Sequence, residues 1–130
     1  MTSGSITFDL RGLYALDGMA VWNFNGFNQV GVKDVIVLGS ADGINFTPID
    51  GAPTQFAIGA NSASEVAELF SFSRTASFVR FDVLSTYGNF DFALSEVMFT
   101  GSAVVPEPSG VASAVSGTVM LLARARRRRA

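Results

Sequence analysis

The feature that most constrains the fold of this chain is a strict alternation of apolar and polar residues in two segments. In residues 5–10 the apolar positions are Ile6, Phe8 and Leu10, and in residues 77–83 one alternating set is Val79, Phe81 and Val83. A period of two puts successive side chains on opposite faces of a strand. Both segments therefore predict half-buried β-strands.

Other apolar runs predict further strands, at residues 18–24, 32–38, 55–58, 66–72 and 95–100. Residues 32–38 are apolar enough, apart from Lys33 and Asp34, for a strand buried on both faces. Residues 66–72 also fit a short helix, since alanine, glutamate and leucine favour one. Turn residues such as Asp42-Gly43 separate the runs. The pattern predicts an all-β fold, an antiparallel β-sandwich or barrel.

The chain has no histidine and no cysteine. A Ser-His-Asp triad, a thiolate nucleophile, a disulfide framework and a cysteine zinc site are all excluded. Paired carboxylates could support glycoside hydrolysis, but no Asp or Glu pair stands out by sequence. We therefore expect a protein that is not an enzyme.

Charge divides the chain into an acidic body and a basic tail. Residues 1–105 hold four basic and ten acidic side chains, for a net charge of −6. Residues 106–130 hold five arginines and one glutamate, for a net charge of +4. An acidic body does not favour nucleic acid, because phosphate contacts need clustered Lys or Arg. The asymmetry predicts a tail with a function of its own.

The tail has three parts in a fixed order. It begins with Pro106-Glu107-Pro108, continues as a run of 14 residues without charge (110–123), and ends in arginines at positions 124 and 126–129. As a helix the uncharged run reaches about 21 Å, short of the roughly 30 Å hydrocarbon core of a bilayer. Arg124 could snorkel to shorten that gap. The arginine cluster is expected to stay on the cytoplasmic side, which places the acidic body outside.

This order of parts resembles the PEP-CTERM sorting signal of Gram-negative bacteria. Pro106, Glu107 and Pro108 match the family motif, and the basic anchor consists of Arg124, Arg126, Arg127, Arg128 and Arg129. The resemblance implies that an exosortase, a membrane protease, cuts the chain near the motif. It also implies a precursor in the inner membrane and a final place at the cell surface or in the extracellular matrix. The alternative is a disordered basic terminus that touches nucleic acid or anionic lipid.

Four segments of the body resemble discoidin (F5/8 type C) domains. They are residues 6–10, with Arg11 where the family has glycine, residues 31–46 around Ser40-Ala41-Asp42-Gly43, residues 76–81, and residues 94–99. The resemblance implies a galactose-binding-like jelly roll that lacks its first strands. Because residues 1–4 carry no secretory signal, we also expect the chain to be N-terminally incomplete.

The discoidin resemblance implies a place for a structural calcium ion. Glu96 stands where the family's closing glutamate helps to bind that ion. The alternative is an exposed carboxylate at the end of a strand. No other cofactor is expected.

Two segments rich in aromatic and amide side chains are the candidates for ligand binding. They supply Asn25, Phe27 and Asn28, and Tyr87 and Asn89. Sugar recognition uses a flat apolar ring beside amides that donate and accept hydrogen bonds. In the alternative, the neighbouring Trp22 and Phe24 belong to the core and the asparagines serve turns.

These observations predict three regions: a discoidin-like β-sandwich (1–101), a proline-containing linker with the sorting motif (102–109), and a transmembrane helix with a basic end (110–130). The expected function is that of an exported, non-enzymatic surface or matrix protein whose partners are an exosortase, a membrane and extracellular polysaccharide. The alternative is a carbohydrate-binding module from a larger glycan-active enzyme.

Overall fold

The structure, a computed structural model, describes residues 4–60, 66–89 and 91–104 in full, and the backbone of residues 119–122 and 126–129. Within these ranges seven strands follow one another: β1 (Gly4–Asn23), β2 (Val35–Ser40), β3 (Thr47–Pro48), β4 (Glu68–Val83), β5 (Leu94–Ala103), β6 (Val119–Leu122) and β7 (Arg126–Arg129). The helix in this part of the chain is one 3-10 turn, Asn28–Val30. The protein is therefore all-β, as the alternation predicted.

Two long strands, β1 and β4, organise the sheet. They pair antiparallel over almost their whole length, with a register shift between Asp9 and Tyr14. Within this shift Arg11 has a φ of 58°, and its backbone N–H donates to Asp9 Oδ1 at 2.9 Å. A bulge of this kind bends a strand and increases its local twist. The bend divides β1 into an N-terminal and a C-terminal half.

The halves of β1 belong to different parts of one hydrogen-bonded path, β3-β2-β4-β1-β5-β6, with β7 beside β1. The last part of β4 (Phe78–Val83) pairs with β2 and with the N-terminal half of β1. β5 pairs only with the C-terminal half of β1, from Tyr14 to Asn23. The sheet therefore has two layers, one containing the N-terminal half of β1 and the other its C-terminal half. The layers are joined through β1 and β4.

Phenylalanine rings fill the space between these two layers. The Phe8 ring, from the N-terminal half of β1, lies 4.9 Å from Phe81 and 5.2 Å from Phe99 of β5, measured between centroids. Phe56 lies 5.4 Å from Phe81 and 5.8 Å from Phe70. Phe99 and Phe56 connect the two layers, so the layers pack against each other, which is consistent with a β-sandwich. The predicted inward sets, Ile6, Phe8, Leu10, Val79, Phe81 and Val83, are all buried.

The predicted turn at Asp42 connects β2 to β3. Asp42 Oδ1 accepts hydrogen bonds from the N–H groups of Ile44 and Asn45, each at 2.8 Å, and Ser40 Oγ donates to it at 2.9 Å. Gly43 follows with a φ of +78°, which L side chains rarely adopt. These bonds hold the pKa of Asp42 far below its usual value. Asp42 therefore acts as a turn residue, as the sequence indicated.

Three local predictions need correction. Residues 68–72 are part of β4, so the helical alternative for 66–72 is wrong, since their apolar positions pair with β1. Residues 55–58 are not a strand; Gln55 makes one isolated bridge with Asp34. The run 32–38 is not buried on both faces, because Ile36 is 40 % exposed.

The backbone of the tail forms short strands where it is described. β6 pairs with β5, and β7 pairs with the start of β1. The predicted helix over residues 110–130 is not confirmed, and 110–118 and 123–125 lie outside the described residues. In the part of the chain that the structure describes, no helix has the length and hydropathy to cross a membrane. β5 continues to Ala103, past the predicted boundary at residue 101.

Candidate functional site

Three loops meet at one end of the sheet and form what we call the loop end: residues 24–34, 54–60 and 84–93, of which Phe90 is not described. Backbone hydrogen bonds join them. The N–H of Tyr87 donates to Gly31 O at 3.2 Å, and the N–H of Phe56 donates to Lys33 O at 2.9 Å. The two segments singled out for ligand binding are therefore neighbours, although some 60 residues separate them in the chain.

Asn23, the last residue of β1, connects two of these loops. Its Nδ2 donates to Val32 O and to Ala57 O, both at 2.8 Å, and its Oδ1 accepts from the N–H of Val32 at 3.0 Å and of Phe24 at 2.9 Å. The residue is only 8 % exposed. A buried amide with every group paired stabilises one arrangement of the backbone around it. Asn23 therefore has a structural role.

Most of the predicted ligand residues at the loop end make hydrogen bonds within or between its loops. Asn28 Nδ2 donates to Gly59 O at 3.0 Å, and the Tyr87 hydroxyl donates to Phe56 O. The backbone N–H and O of Asn89 both bond to the Thr86 hydroxyl. Asn25 is half-buried, and the Phe27 ring is 51 % exposed. Of this set, Phe27 offers the largest apolar surface to solvent.

Acidic groups surround the Tyr87 phenol. Burial, followed by the negative charges of Glu68 and Asp34, raises the pKa of Tyr87 above its usual value. Lys33 Nζ lies 5.7 Å from the centroid of the Tyr87 ring, within the range of a cation–π contact. The phenol consequently stays protonated at neutral pH and remains a hydrogen-bond donor.

Asp34 forms a second polar cluster beneath these residues. Its Oδ2 accepts from Ser85 Oγ at 2.6 Å, its Oδ1 accepts from Gln55 Nε2 at 3.2 Å, and its backbone N–H donates to Ser85 Oγ at 3.1 Å. The Ser85 bond, with help from Gln55 and from the charge of Lys33, lowers the pKa of Asp34. The Ser85 hydroxyl donates to the Asp34 carboxylate and accepts the backbone N–H of Asp34, so this pair connects two loops of the loop end.

A cleft of about 140 Å³ opens beside the loop end. Trp22 and Glu68 contribute its largest aromatic and its charged side chain, and the backbone of residues 57–60 forms one wall. Glu68 Oε1 accepts a hydrogen bond from the N–H of Ala57 at 2.6 Å, which fixes the carboxylate against that wall. An indole, a carboxylate and backbone groups are the mixture that a sugar ring contacts.

The cleft contains none of the five predicted ligand residues, although Gly59, the partner of Asn28, lines it. The sequence analysis missed Glu68 as a lining residue and assigned Trp22 alternatively to the core. Trp22 is half-buried, on the face of β1 opposite to Val21, which is 1 % exposed. The one available indication was its place near the end of the apolar run 18–24, next to a segment rich in aromatic and amide side chains.

Glu96 lies on β5 in register with Trp22 and is exposed. Within the described ranges, no group of three or more Asp and Glu side chains is placed to hold a metal ion. The structure thus shows Glu96 as a surface carboxylate, and a calcium ion there stays a prediction from the sequence.

The sorting residues Pro106, Glu107 and Pro108 lie outside the described residues, as does Arg124. Arg126, Arg127, Arg128 and Arg129 form the backbone of β7 beside β1.

The described residues form an all-β domain. Hydrogen bonds join the three loops of its loop end, and a cleft lies next to them. No family model and no curated protein matches this chain.

Proposed function

We propose that this chain is an exported, non-enzymatic protein of the bacterial surface or extracellular matrix. Its C-terminal segment would be a PEP-CTERM signal that holds the precursor in the inner membrane of a Gram-negative cell until an exosortase cuts near Pro106-Glu107-Pro108. The order of motif, uncharged run and arginine cluster carries this proposal, because a bare basic terminus does not require the first two parts.

Charge supports the orientation of the precursor. The body carries −6 and the tail +4, so the positive-inside rule keeps the arginines in the cytoplasm and the body outside. The uncharged run would form the membrane helix, with Arg124 reaching the interface.

The chemistry of the body favours binding or a structural role over catalysis. The chain lacks histidine and cysteine. Among the described residues, no buried side-chain nitrogen or oxygen lacks a hydrogen-bond partner. The carboxylate of Asp34 at the loop end accepts a hydrogen bond from Ser85, and that of Glu68 in the cleft accepts one from the backbone N–H of Ala57. We propose a discoidin-like jelly roll for the body on the strength of its four matching segments.

Processing of the tail tests the sorting proposal. The full chain, fused behind a secretory signal peptide and with an epitope tag after Ala130, is expressed in a host that has an exosortase. We expect the tag to be lost and the body to reach the surface, both in the wild type and in the control variant Ser109→Ala. Replacing Pro106 and Pro108 with alanine should leave the tag attached and the protein in the membrane fraction. Retention of the tag by every variant, with the protein in the soluble lysate, contradicts the proposal.

The cleft favours the second candidate, a carbohydrate-binding module. Trp22 is the chain's single tryptophan, so its fluorescence reports on this cleft without interference. Polysaccharide binding should shift the emission of the full chain, and Glu68→Gln should weaken that response, while Asp50→Asn, an exposed position that does not line the cleft, should not. An unchanged emission with every polysaccharide on a glycan array would leave the body a structural role alone.

A further inference from the structure

Strand β4 has an open side over its first half. One side of β4 pairs with β1 along almost its whole length, from Glu68 to Val83. On the other side, β2 covers only Phe78–Val83. Between Glu68 and Arg74, none of the described strands pairs with the side of β4 that faces away from β1. We call residues 68–74 the open edge.

The backbone groups of the open edge alternate in direction. A Cβ on Gly18 of β1 would stand 2.3 Å from Phe70 O, so this carbonyl faces β1. Successive residues of a strand direct their N–H and C=O groups to opposite sides. The N–H and C=O groups of Leu69 and Ser71 consequently point away from β1. A row of such groups is a template for pairing with another strand.

The side chains of the open edge do little to prevent such pairing. Natural edge strands are protected by lysine, by proline or by a bulge that twists the edge away. Residues 69–73 contain neither a charge nor a proline. Leu69 is 80 % exposed, and Ser71 and Ser73 are exposed on the same face. A register shift with β1 lies opposite these residues, but the side chains of β4 keep their alternation through it.

The sequence of the open edge, Glu-Leu-Phe-Ser-Phe-Ser-Arg, is complementary to itself in the antiparallel direction. When Ser71 opposes Ser71 of a second copy, Glu68 opposes Arg74, and Phe70 opposes Phe72. Opposite charges and aromatic pairs are among the cross-strand pairs that stabilise a sheet. Parallel pairing in register would instead oppose like charges at both ends, which is destabilising.

The two charges at the ends of the open edge are oriented by neutral groups. Glu68 accepts a hydrogen bond from the N–H of Ala57, and Arg74 Nη2 donates to Gly39 O at 2.9 Å and to Thr47 Oγ1 at 2.6 Å. Neither Glu68 nor Arg74 forms an ion pair with another described residue. A second copy in the antiparallel register supplies each of them with an opposite charge.

We propose that the open edge pairs with the open edge of a second copy of this chain, antiparallel and with Ser71 opposite Ser71. The same patch is used on both copies, so the association closes at a dimer with a two-fold axis at Ser71. The edge is shorter than the about 20–30 residues a side of a standard interface, so the dimer is weak and depends on concentration. It also places Arg74 of the second copy opposite Glu68, which lines the cleft.

Single cysteines test the pairing, because the chain has no cysteine of its own. In Ser71→Cys the two opposed Cα atoms are about 4.5–5.5 Å apart, within the range of a disulfide. The matched control is Ser73→Cys, also exposed, whose cysteine opposes Leu69 and lies about 13 Å along the strands from its own counterpart. We expect the oxidised full chain to form a disulfide-linked dimer as Ser71→Cys, with a yield that rises with protein concentration, and to stay monomeric as Ser73→Cys.

A mixture of two variants tests the register. Residue 69 of one copy opposes residue 73 of the other. Leu69→Cys and Ser73→Cys should therefore stay monomeric when each is oxidised alone, and should form a heterodimer when they are oxidised together. Tags of different size on the two variants identify the heterodimer on a non-reducing gel, and circular dichroism confirms that each variant is folded.

Sedimentation tests the dimer without a crosslink. The wild type should show a monomer–dimer equilibrium. Ser71→Lys should shift it to the monomer, because two lysines then meet at the axis. The control Thr75→Lys adds the same charge at an exposed position beyond the open edge and should leave the equilibrium unchanged.

Two results would overturn the proposal. A monomeric wild type with no crosslink in Ser71→Cys excludes a second copy as the partner of the open edge, and leaves the edge to a strand of a different chain. Equal crosslinking of Ser71→Cys and Ser73→Cys shows contact without the proposed register. Neither result affects the sorting proposal or the polysaccharide proposal, which are tested by loss of the tag and by the fluorescence of Trp22.

Discussion

The Asp42 turn and the side chain of Asn23 both hold backbone segments in place by hydrogen bonds. The Asp42 turn does so locally at the surface, whereas Asn23 connects distant segments in the interior. The Asp42 turn is exposed, and its hydrogen bonds connect residues no more than three positions apart. Asn23 is buried, and its hydrogen bonds reach residues 9 and 34 positions away. A local, solvated connection can exchange its partners for water when it is lost. When a buried connection is lost, its partner groups stay unpaired. We therefore expect removal of Asn23 to cost much more free energy of unfolding than removal of a similar number of hydrogen bonds at the Asp42 turn.

The largest expected effect is that of Asn23→Ala. It would leave the carbonyls of Val32 and Ala57 without their donor, and we expect a loss of about 3 kcal/mol in the free energy of unfolding. Urea denaturation followed by circular dichroism measures it. The control, Asn45→Ala, removes a bond to Asp42 at the exposed turn and should leave the midpoint almost unchanged. Equal losses in the two variants would erase the distinction between the regions.

A close backbone approach at the loop end gives the next effect. A Cβ on Gly59 would stand 2.3 Å from Phe24 O, so Gly59→Ala should force residues 57–60 away from β1. Overpacking of this kind costs about 2 kcal/mol. In Gly26→Ala the new Cβ meets only the Phe24 ring, at 3.8 Å, and the variant should be nearly neutral. If thermal unfolding shows no difference between them, the wall of the cleft is more yielding than its contacts indicate.

The Tyr87 hydroxyl makes a smaller and pH-dependent contribution. Tyr87→Phe removes its bond to Phe56 O and should lower the free energy of unfolding by about 1 kcal/mol at pH 7. Because the folded pKa is raised, the stabilisation is present below the unfolded pKa near 10 and is lost as pH rises through the folded pKa. Unfolding at pH 8 and pH 11 should therefore give curves for the wild type and the variant that differ more at pH 8. A constant difference would contradict the raised pKa.

Acid should weaken the exposed turn, and this is the smallest effect. The folded pKa of Asp42 is depressed by the N–H groups of Asn45 and Ile44. Its stabilisation is therefore present above the unfolded pKa near 4 and is lost as pH falls through the folded value. Between pH 6 and pH 2.5 the melting temperature of the wild type should fall further than that of Asp42→Asn, whose side chain does not titrate. Identical slopes would show that the turn does not depend on the ionised carboxylate.

Local patterns predicted most of the strands and the turn correctly, because the physics that determines them acts over a few residues, but residues 55–58 form no strand. The inward positions Ile6, Phe8 and Phe81 follow from a period of two, and the turn follows from Asp42 and the positive φ of Gly43. The helical alternative at residues 66–72 failed because pairing of Phe70 with Met19 outweighs the modest helix propensity of the segment.

The loop end could be predicted only in part. Aromatic and amide residues identified two of its loops, but nothing in the sequence indicates that Asn28 reaches Gly59 or that Tyr87 reaches Phe56. Those bonds depend on how the bent strands return the chain to the same place. For the same reason, the pairing of residues 119–122 with β5 and of residues 126–129 with β1 could not be inferred from the composition of the tail, which favours a membrane segment.

The bend at Arg11 has a consequence for how this domain can come apart. Because β1 and β4 each pass through both layers, neither layer can separate from the other as an independent subdomain. The two layers should consequently open as a single cooperative unit. The amide hydrogens of Phe8 in one layer and of Phe99 in the other should therefore show the same protection from exchange. A domain built in this way would resist stepwise proteolysis, since a protease gains access to either layer only when the whole domain opens.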